Sequence, residues 1–446
     1  MARGAQEQSG VGGAGASPRP DVAASPPAHV GVTARVPQRK IAGGPLAFDP
    51  TDHAFVVDPY PRYRELQESP VLHQDAEGLW VLTRYADVQA AVRDPRLSSD
   101  PAHGDGPRAE RRGRRVPLFS EANARTMLTS DPPDHTRLRS LANRAFTPRA
   151  VERLRPWVGE MVDRLLDEAL GRGDGVVELM GDLAEPLPVL VICELLGVPP
   201  EDQGRFKPWS SAIARLVDPD PDPAILARAA PAVEGFVDYF GELVRARWDE
   251  PRDDLLSGLV HAQVDTDSLS VPELFAMVIL LFVAGHETTT NLIGNGMLAL
   301  LRHRGQYERL GREPGLAGRA TEELLRYDPP VQVTARTATE DVDLRGVHLH
   351  KGEGVVCALA AANRDPAYVD RPEQLVIDRG EPTHLSFSNG IHHCLGAPLA
   401  RLEGQVVFAI LAHRFPSLEL VSTSPGYRDH FVLRGLTELT LATGPG

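Results

Sequence analysis

The stretch that decides the fold is FSNGIHHCLGAP, residues 387–398, which contains a single cysteine, Cys394. Apolar residues recur at helical spacing after it, and Pro398 suits the first turn of a helix. We therefore predict that Cys394 lies at a helix N-terminus. Unpaired backbone N–H groups and the positive end of the helix dipole favour an ionised sulfur there, and the thiolate is the form that binds a metal.

Two other interpretations are open from these residues alone. Free cysteine is often simply buried, so Cys394 could be a packing residue beside a loop. Zinc is the second possibility, because His392, His393 and Cys394 are all plausible ligands. A structural zinc site needs four ligands, however, and neither Cys193 nor Cys357 has a second cysteine or histidine at ligand spacing.

The same stretch resembles the haem-binding loop of the cytochrome P-450 superfamily, whose pattern is Phe-x-x-Gly-x-His/Arg-x-Cys-x-Gly. The matching residues are Phe387, Gly390, His392, Cys394 and Gly396. The resemblance implies that Cys394 is the axial thiolate ligand of the iron of haem b, and that His392 hydrogen-bonds a haem propionate. Phe387 would pack beside the sulfur, and Gly390 would let the backbone approach the flat cofactor. The departure from the pattern is Ser388, where many members of the family have glycine.

A second motif, Ala284-Gly285-His286-Glu287-Thr288, stands in a segment apolar enough to predict a buried helix that begins near the capping box at residues 270–273. A buried acid is costly without a partner or a task, and threonine can bond back to the carbonyl one turn earlier. Taken alone, the motif could be a polar patch leaving the core. It resembles the oxygen-activation motif of the P-450 family, which implies that Thr288 holds dioxygen and a water molecule and that Glu287 feeds protons from solvent. Ala284 would contact the cofactor.

Basic residues offer partners for the two haem propionates, since arginine and histidine bind carboxylates. His135 and Arg139 are four residues apart on one face of a predicted helix and could bind one anion together. A solvated basic helix face is the alternative. The resemblance assigns this pair, and Arg336 of a predicted strand, to the propionates. His384 is a weaker candidate for the same role.

A structural ion network is expected from Glu323 and Arg326, which share one helical face. Many surface helices carry such a pair without consequence. The pair also resembles the family's Glu-x-x-Arg motif, which implies that it locks its helix to the segment before the haem loop, with Arg379 as the third member. We expect these residues to determine folding and to take no part in catalysis.

Composition limits the partners and the compartment. The chain has 446 residues, 42% of them hydrophobic, and a net charge of −14, which argues against nucleic acid or an anionic membrane as the main partner. Three cysteines without paired spacing indicate a reducing compartment, and the longest apolar run is too short to act as a membrane anchor. We predict a cytoplasmic protein with a disordered N-terminal extension at 1–44, rich in Gly, Ala, Pro and Ser, and a single domain at 45–446.

The resemblance implies a mainly α fold with a smaller β-rich lobe, the helical triangular prism of cytochrome P-450, and a monooxygenase activity. One oxygen atom from dioxygen would enter a large hydrophobic molecule by hydroxylation or epoxidation, tailoring a secondary metabolite such as a macrolide or other polyketide in antibiotic biosynthesis. No flavin or nicotinamide domain fits in the chain, so a ferredoxin and its NAD(P)H-dependent reductase would supply electrons. The alternatives are a peroxide-using or rearranging haem-thiolate enzyme and a non-catalytic haem sensor. The arginine-rich loop 108–115 is either solvated or a lid over the substrate pocket.

Overall fold

The computed structural model describes residues 1, 48, 52–68, 73–74, 79–104, 126–173, 175–214, 216, 223–264, 267–344, 347–380, 383–430 and 432–444. The predicted extension at 1–44, except Met1, and the arginine-rich loop 108–115 lie outside these residues. All helices and strands described below belong to the unit Val36–Gly446.

Helices form most of the described chain, as predicted. The α-helices are His53–Val57, Tyr60–Glu68, Tyr85–Arg93, Asp134–Ala145, Pro148–Glu152, Arg155–Leu170, Pro186–Leu196, Phe206–Ala214, Pro223–Asp249, Leu255–Val260, Val271–Arg302, Arg304–Arg312, Ala317–Tyr327, Leu359–Ala362 and Ala397–Arg414. Short 3₁₀ turns and one π-helical turn connect several of them: Pro101–His103, Met180–Ala184, Pro200–Arg205, Pro314–Leu316 and Gly390–His392.

The strands are short and form a smaller β-rich part, which also agrees with the prediction. In chain order they are β1 His73–Gln74, β2 Trp80–Leu82, β3 Leu97–Ser98, β4 Val176–Glu178, β5 Gln263–Val264, β6 Asp267–Ser268, β7 Val333–Ala338, β8 Val342–Leu344, β9 Val347–Leu349, β10 Gly354–Ala358, β11 Glu419–Leu420 and β12 Thr440–Ala442. The largest sheet has the order β1-β2-β10-β7-β3, and β11-β12-β4 form a second. In the larger sheet Arg336 of β7 pairs with Val355 of β10, so regular backbone pairing fixes its position.

The helix Val271–Arg302, hereafter the long helix, begins as the sequence predicts. Ser270 and Glu273 form a reciprocal capping box that satisfies two backbone donors, and proline in the first turn loses no helical hydrogen bond. Its length and apolar character would suffice to cross a membrane, but 67% of its most apolar window is buried inside the protein, as in the core helix of a soluble protein. It packs against the helices Pro186–Leu196 and Ala397–Arg414.

The helix Ala397–Arg414, hereafter the cysteine helix, follows Cys394 and carries a carboxyl group in the core. Glu403 is 1% exposed, and its Oε2 atom has no hydrogen-bond partner among the residues that the structure describes. Burial raises the pKa of Glu403 well above its ordinary value of 4.5, because no nearby charge compensates the desolvation of the carboxylate.

Glu403→Gln is expected to stabilise the protein increasingly as the pH rises. Above pH 4.5 the unfolded chain releases the Glu403 proton while the folded chain keeps it, so stability falls as the pH rises towards the raised pKa. Glutamine has no proton to release and so removes this dependence. Each unit by which the folded pKa exceeds the unfolded pKa is worth about 1.4 kcal/mol, so the gain near neutral pH should be about 1–3 kcal/mol. Urea unfolding at several pH values measures the difference. The exposed Glu419→Gln serves as control, and parallel stability curves for Glu403→Gln and the unchanged protein would contradict the prediction.

Arg434, near the C-terminal end of the described chain, ties distant segments together. Its Nε donates to Asp328 Oδ1 at 2.9 Å, and its Nη2 donates to the carbonyl of Val57 at 3.0 Å. Its own carbonyl accepts a hydrogen bond from Asn295 of the long helix at 3.0 Å. Each of these hydrogen bonds joins groups far apart in sequence. This part of the fold therefore forms only when the segment around Arg434 packs against the segments around Val57, Asn295 and Asp328.

Candidate cofactor site

The Cys394 thiol lies just before the cysteine helix and is accessible on one side. Its backbone N–H donates to the Phe387 carbonyl at 2.9 Å, which closes the loop. The N–H groups of Gly396 and Ala397 donate to the sulfur, as expected near a helix N-terminus, and together with Arg139 they lower the pKa of Cys394. Burial by the surrounding protein nevertheless outweighs them and raises the pKa above 9.0. Burial and the helix end therefore act on the pKa of Cys394 in opposite directions, and the thiolate ligand stays a prediction.

Two residues of the loop adopt left-handed backbone conformations. Gly390 has φ of +70° and Ser388 has φ of +59°. A Cβ at Gly390 would lie 3.2 Å from the carbonyl oxygen of Val92, so the close approach that glycine allows here is to the helix Tyr85–Arg93. Ser388 bears a side chain where the backbone favours glycine, which explains why glycine suits this position in the family pattern.

An ion network around Glu322 contacts the cysteine loop through Phe387. Glu322 accepts hydrogen bonds from Arg401 at 2.6 and 3.0 Å, and His384 Nε2 lies 3.2 Å from the same carboxylate. Despite its burial, these partners lower the pKa of Glu322 to about 2. The Arg401 guanidinium lies 4.5 Å above the ring of Phe387. His384 thus pairs with Glu322, and its ring centroid lies 5.7 Å from that of Phe387. These contacts give no support to the weaker prediction that His384 binds a propionate.

Four predicted cofactor contacts converge beside Cys394. The rings of His135 and His392 lie 4.4 Å apart, and Arg139 and Arg336 both act electrostatically on His392. Burial, reinforced by Arg336 and His135, lowers the pKa of His392 to about 4, and burial with Arg139 lowers that of His135. Burial also lowers the pKa of both arginines. The helix Asp134–Ala145, strand β7 and the cysteine loop therefore bring several donors and two cations into one place.

Several side-chain donors in this cluster lack an anionic partner among the described residues. Within the described ranges, neither Arg139 nor Arg336 forms an ion pair, and Arg336 donates only to Thr334 Oγ1 at 3.2 Å and to the Ala335 carbonyl at 2.8 Å. The Nε2 atom of His135 is buried and has no hydrogen-bond partner. Partly buried cations and an orphaned ring nitrogen are unfavourable unless an anion joins them. The donor set fits the carboxylates of haem, with the accessible sulfur of Cys394 beside it as an iron ligand.

At the predicted oxygen motif, Ala284 and Thr288 of the long helix are accessible. Ala284 is exposed and Thr288 half-buried, although most neighbouring positions on the helix are buried. Thr288 Oγ1 donates to the Ala284 carbonyl one turn earlier at 2.7 Å, as the sequence predicted. The carbonyl of Ala284 is thereby shared between the helix and a side chain, which weakens the helical hydrogen-bond ladder at this turn.

Glu287 belongs to a chain of charges that leads out of the core. Its Oε1 atom pairs with Arg428, whose other nitrogen donates to Glu185 at 2.7 Å, and Glu185 in turn contacts Lys207 at 2.8 Å. Side-chain exposure rises along this chain from 6% at Glu287 through 21% at Arg428 and Glu185 to 44% at Lys207. The second oxygen of Glu287, Oε2, is buried and has no hydrogen-bond partner among the described residues. Arg428 thus fixes one carboxylate oxygen of Glu287 and leaves the other without a protein partner in this part of the chain.

Sequence reasoning missed the partners of the oxygen motif. Arg428 lies 141 residues after Glu287 and has no local pattern that would reveal the pair. His286 was also passed over: its Nδ1 atom lies 2.8 Å from Ser210 Oγ, its Nε2 is buried without a partner, and burial lowers its pKa. His286 therefore joins the long helix to the helix Phe206–Ala214.

Known proteins resemble this chain over most of its length. Residues 316–435 match the family model described as Cytochrome P450. The chain is 41% identical over 396 residues to the cytochrome P450 monooxygenase PikC of Streptomyces venezuelae, covering 87% of this chain and 91% of that protein. It is also 41% identical over 400 residues to 6-deoxyerythronolide B hydroxylase of Saccharopolyspora erythraea, covering 86% and 96%.

A solved structure agrees with these relatives. The cytochrome P450 PksS of the Bacillus subtilis 168 bacillaene polyketide synthase superimposes with a TM-score of 0.81 at 38% identity, covering 89% of this chain and 100% of that one. The predicted mainly α fold with its smaller β-rich lobe is confirmed, and the family implies haem as the cofactor. The chain belongs to the cytochrome P450 family and is a monooxygenase of that family.

Proposed function

We propose that this monooxygenase hydroxylates or epoxidises a large hydrophobic small molecule of the polyketide type, with haem b as its cofactor. The relatives named above include a polyketide synthase P450 and a hydroxylase, which supports this substrate class. The observation that carries the cofactor proposal is the convergence of Arg139, Arg336 and the orphaned His135 Nε2 beside the accessible sulfur of Cys394.

Each predicted site residue would have its own role in holding the haem. Cys394 would ligate the iron, while His135, Arg139, Arg336 and His392 would hold the propionates. Phe387 and the Gly390 turn would shape the loop around the sulfur, and Ala284 would leave room on the opposite helix. When bound, thiolate-ligated haem activates dioxygen, so that one oxygen atom enters the substrate and the other leaves as water.

Formation of water requires two protons at a site that is otherwise dry, so the protein must deliver them. Thr288 Oγ1 can release its bond to Ala284 and offer a hydroxyl to the reacting oxygen. Glu287 can hold a proton at its free Oε2 while Arg428 keeps Oε1 in place. The charges of Arg428, Glu185 and Lys207 attract water towards this carboxylate from the surface.

Electrons must come from another protein, as for bacterial relatives of this family. We infer a ferredoxin with an NAD(P)H-dependent reductase as the source and the cytoplasm as the location. The lack of paired cysteine spacing and the net charge of −14 support a reducing compartment and a soluble partner.

Spectral titration of the purified ferric protein tests the substrate class. Macrolide, polyene and aromatic polyketide intermediates would be added singly, and a substrate should displace water opposite Cys394 and shift the Soret band from the low-spin to the high-spin position. A saturable shift followed by an oxygenated product in the presence of ferredoxin and reductase supports the proposal. Saturable binding with no product, or a shift only with unrelated molecules, contradicts it.

Thr288→Ala is expected to separate electron consumption from product formation. Without the hydroxyl, proton delivery loses its last donor, and product formation should fall by about 10²-fold, within the usual range for general acid catalysis. NAD(P)H consumption should continue and end as hydrogen peroxide. Product and peroxide are measured per NAD(P)H consumed. Thr288→Ser keeps a hydroxyl and should remain coupled, whereas a fully coupled Thr288→Ala enzyme would refute the role of Thr288.

A further inference from the structure

The hairpin β8–β9 gathers three metal-ligating side chains on one face, far in sequence from the oxygen motif. Asp343 of β8 is paired with His348 of β9, and Val342 is paired with Leu349. Because alternate strand residues point to opposite faces, the apolar Val342 and Leu349 are buried while the polar side chains face outward. Asp341 and His350, one residue beyond each paired apolar position, join His348 on this outer face.

The three ligand atoms are already close to the spacing that a small metal ion needs. Asp341 Oδ2 lies 3.4 Å from His348 Nε2 and 3.8 Å from His350 Nδ1, and all three atoms lie within 4.8 Å of one another. Ligands held about 2.0–2.1 Å from a tetrahedral zinc ion are about 3.4 Å apart. Small side-chain rotations would complete the set without moving the backbone, since all three side chains are exposed.

Neighbouring groups orient these ligands as they do in known metal sites. Asp343 Oδ1 lies 3.0 Å from His348 Nδ1, which places the proton on that nitrogen and leaves Nε2 free to bind a metal. The backbone N–H of Lys351 donates to Asp341 Oδ1 at 2.9 Å, so Oδ2 remains available. The backbone N–H of His350 donates to Glu353 Oε2 at 3.0 Å, which fixes the turn that carries the third ligand.

We propose that Asp341, His348 and His350 bind one Zn²⁺ ion on the outer face of the β8–β9 hairpin. Two imidazoles and one carboxylate suit zinc, whereas Mg²⁺ and Ca²⁺ prefer oxygen ligands alone. Three protein ligands leave a fourth position for water, so the site would be open.

The bound ion would link the residue that precedes β8 to the residue that follows β9. Asp341 precedes β8 and His350 follows β9, so the ion closes a loop of ten residues. The hairpin connects β7, which carries Arg336, to β10, which pairs with β7. Zinc therefore would stabilise the connection between the two strands on which the position of Arg336 depends.

Isothermal titration of Zn²⁺ into the untagged haem protein, freed beforehand of zinc and other loosely bound metal ions, tests the site. We expect 1:1 binding in the unchanged protein and its loss in His348→Ala and His350→Ala. Asp343→Ala removes only the group that orients His348 and should weaken binding by about 10–100-fold. With zinc at about 100 times its Kd, amide hydrogen exchange across 342–349 should slow by up to about 100-fold. The exposed His413→Ala, on the cysteine helix, should bind zinc like the unchanged protein.

Several outcomes would overturn the proposal. A Kd weaker than about 1 mM, zinc affinity unchanged in both histidine variants, or equal affinity for Mg²⁺ would each do so. Because all four substituted side chains are exposed, unchanged visible and circular dichroism spectra of the variants would show that lost binding is not lost folding.

Discussion

Cys394→Ser is expected to abolish the thiolate-type Soret band of the reduced carbon-monoxide complex while leaving a folded protein. A serine hydroxyl has a pKa far above that of a thiol and supplies no thiolate to the iron. Absorption spectra of the reduced protein with and without carbon monoxide measure the effect, and we expect complete loss of the band.

Cys193→Ala is the matched control for this prediction. Cys193 is fully buried and far from the loop in sequence, and burial alone raises its pKa. Its replacement should leave the Soret band in place and affect only stability. If Cys394→Ser kept an unchanged spectrum, or Cys193→Ala lost it, the assignment of the ligand to Cys394 would fail.

Arg326→Ala is expected to destabilise the folded protein by about 3–5 kcal/mol, as for other broken buried ion pairs. Arg326 and Glu323 are both fully buried and joined by two hydrogen bonds of 2.8 and 2.9 Å. Arg326 also donates to the carbonyls of Asn363 and Pro372 at 3.2 and 3.0 Å. Its loss leaves these carbonyls unsatisfied and leaves Glu323 with Arg379, 3.2 Å away, as its remaining arginine partner. A loss of this size is a large part of the stability of most proteins.

Urea unfolding followed by circular dichroism would measure this cost. Glu308→Ala breaks the pair between Arg304 and Glu308, which lies on the surface with both side chains more than a third exposed. That change should cost only about 0.2–1 kcal/mol because water already screens the charges. Arg326→Lys keeps the charge and loses the forked geometry, so its cost should fall between the two. Equal costs for Arg326→Ala and Glu308→Ala would mean that the buried network is not a folding determinant.

Local sequence signals predicted much of the fold. The capping box at Ser270, the apolar run after it and the proline at the start of the cysteine helix all act within one or two helical turns. The resemblance to the P-450 family implied that Arg379 joins Glu323 and Arg326, and the 3.2 Å contact between Arg379 and Glu323 confirms this third member. The helix starts could be predicted because they depend on neighbouring residues. The network could be predicted because its motifs occur in the order that the family has.

Other features of the site depend on contacts that one sequence does not reveal. Arg428 and its ion pair with Glu287 have no local pattern, and neither does the pairing of His384 with Glu322. The close contact of Gly390 with Val92 likewise joins the loop to a helix some three hundred residues earlier. Tertiary packing decided each of these cases.

The links made by Arg428 and Arg434 also set an order of events during synthesis. Val57 leaves the ribosome 377 residues before its partner Arg434, a delay of roughly 20–75 s at ordinary bacterial rates of translation. During the last part of that interval, while the 141 residues from Glu287 to Arg428 are being made, Glu287 is present but its partner Arg428 is not. A nascent chain that stalls within those 141 residues would hold Glu287, which is buried in the long helix, without the arginine that pairs with it. Premature termination close to the C-terminal end should therefore yield a chain that cannot close its core and becomes a substrate for chaperones or proteases.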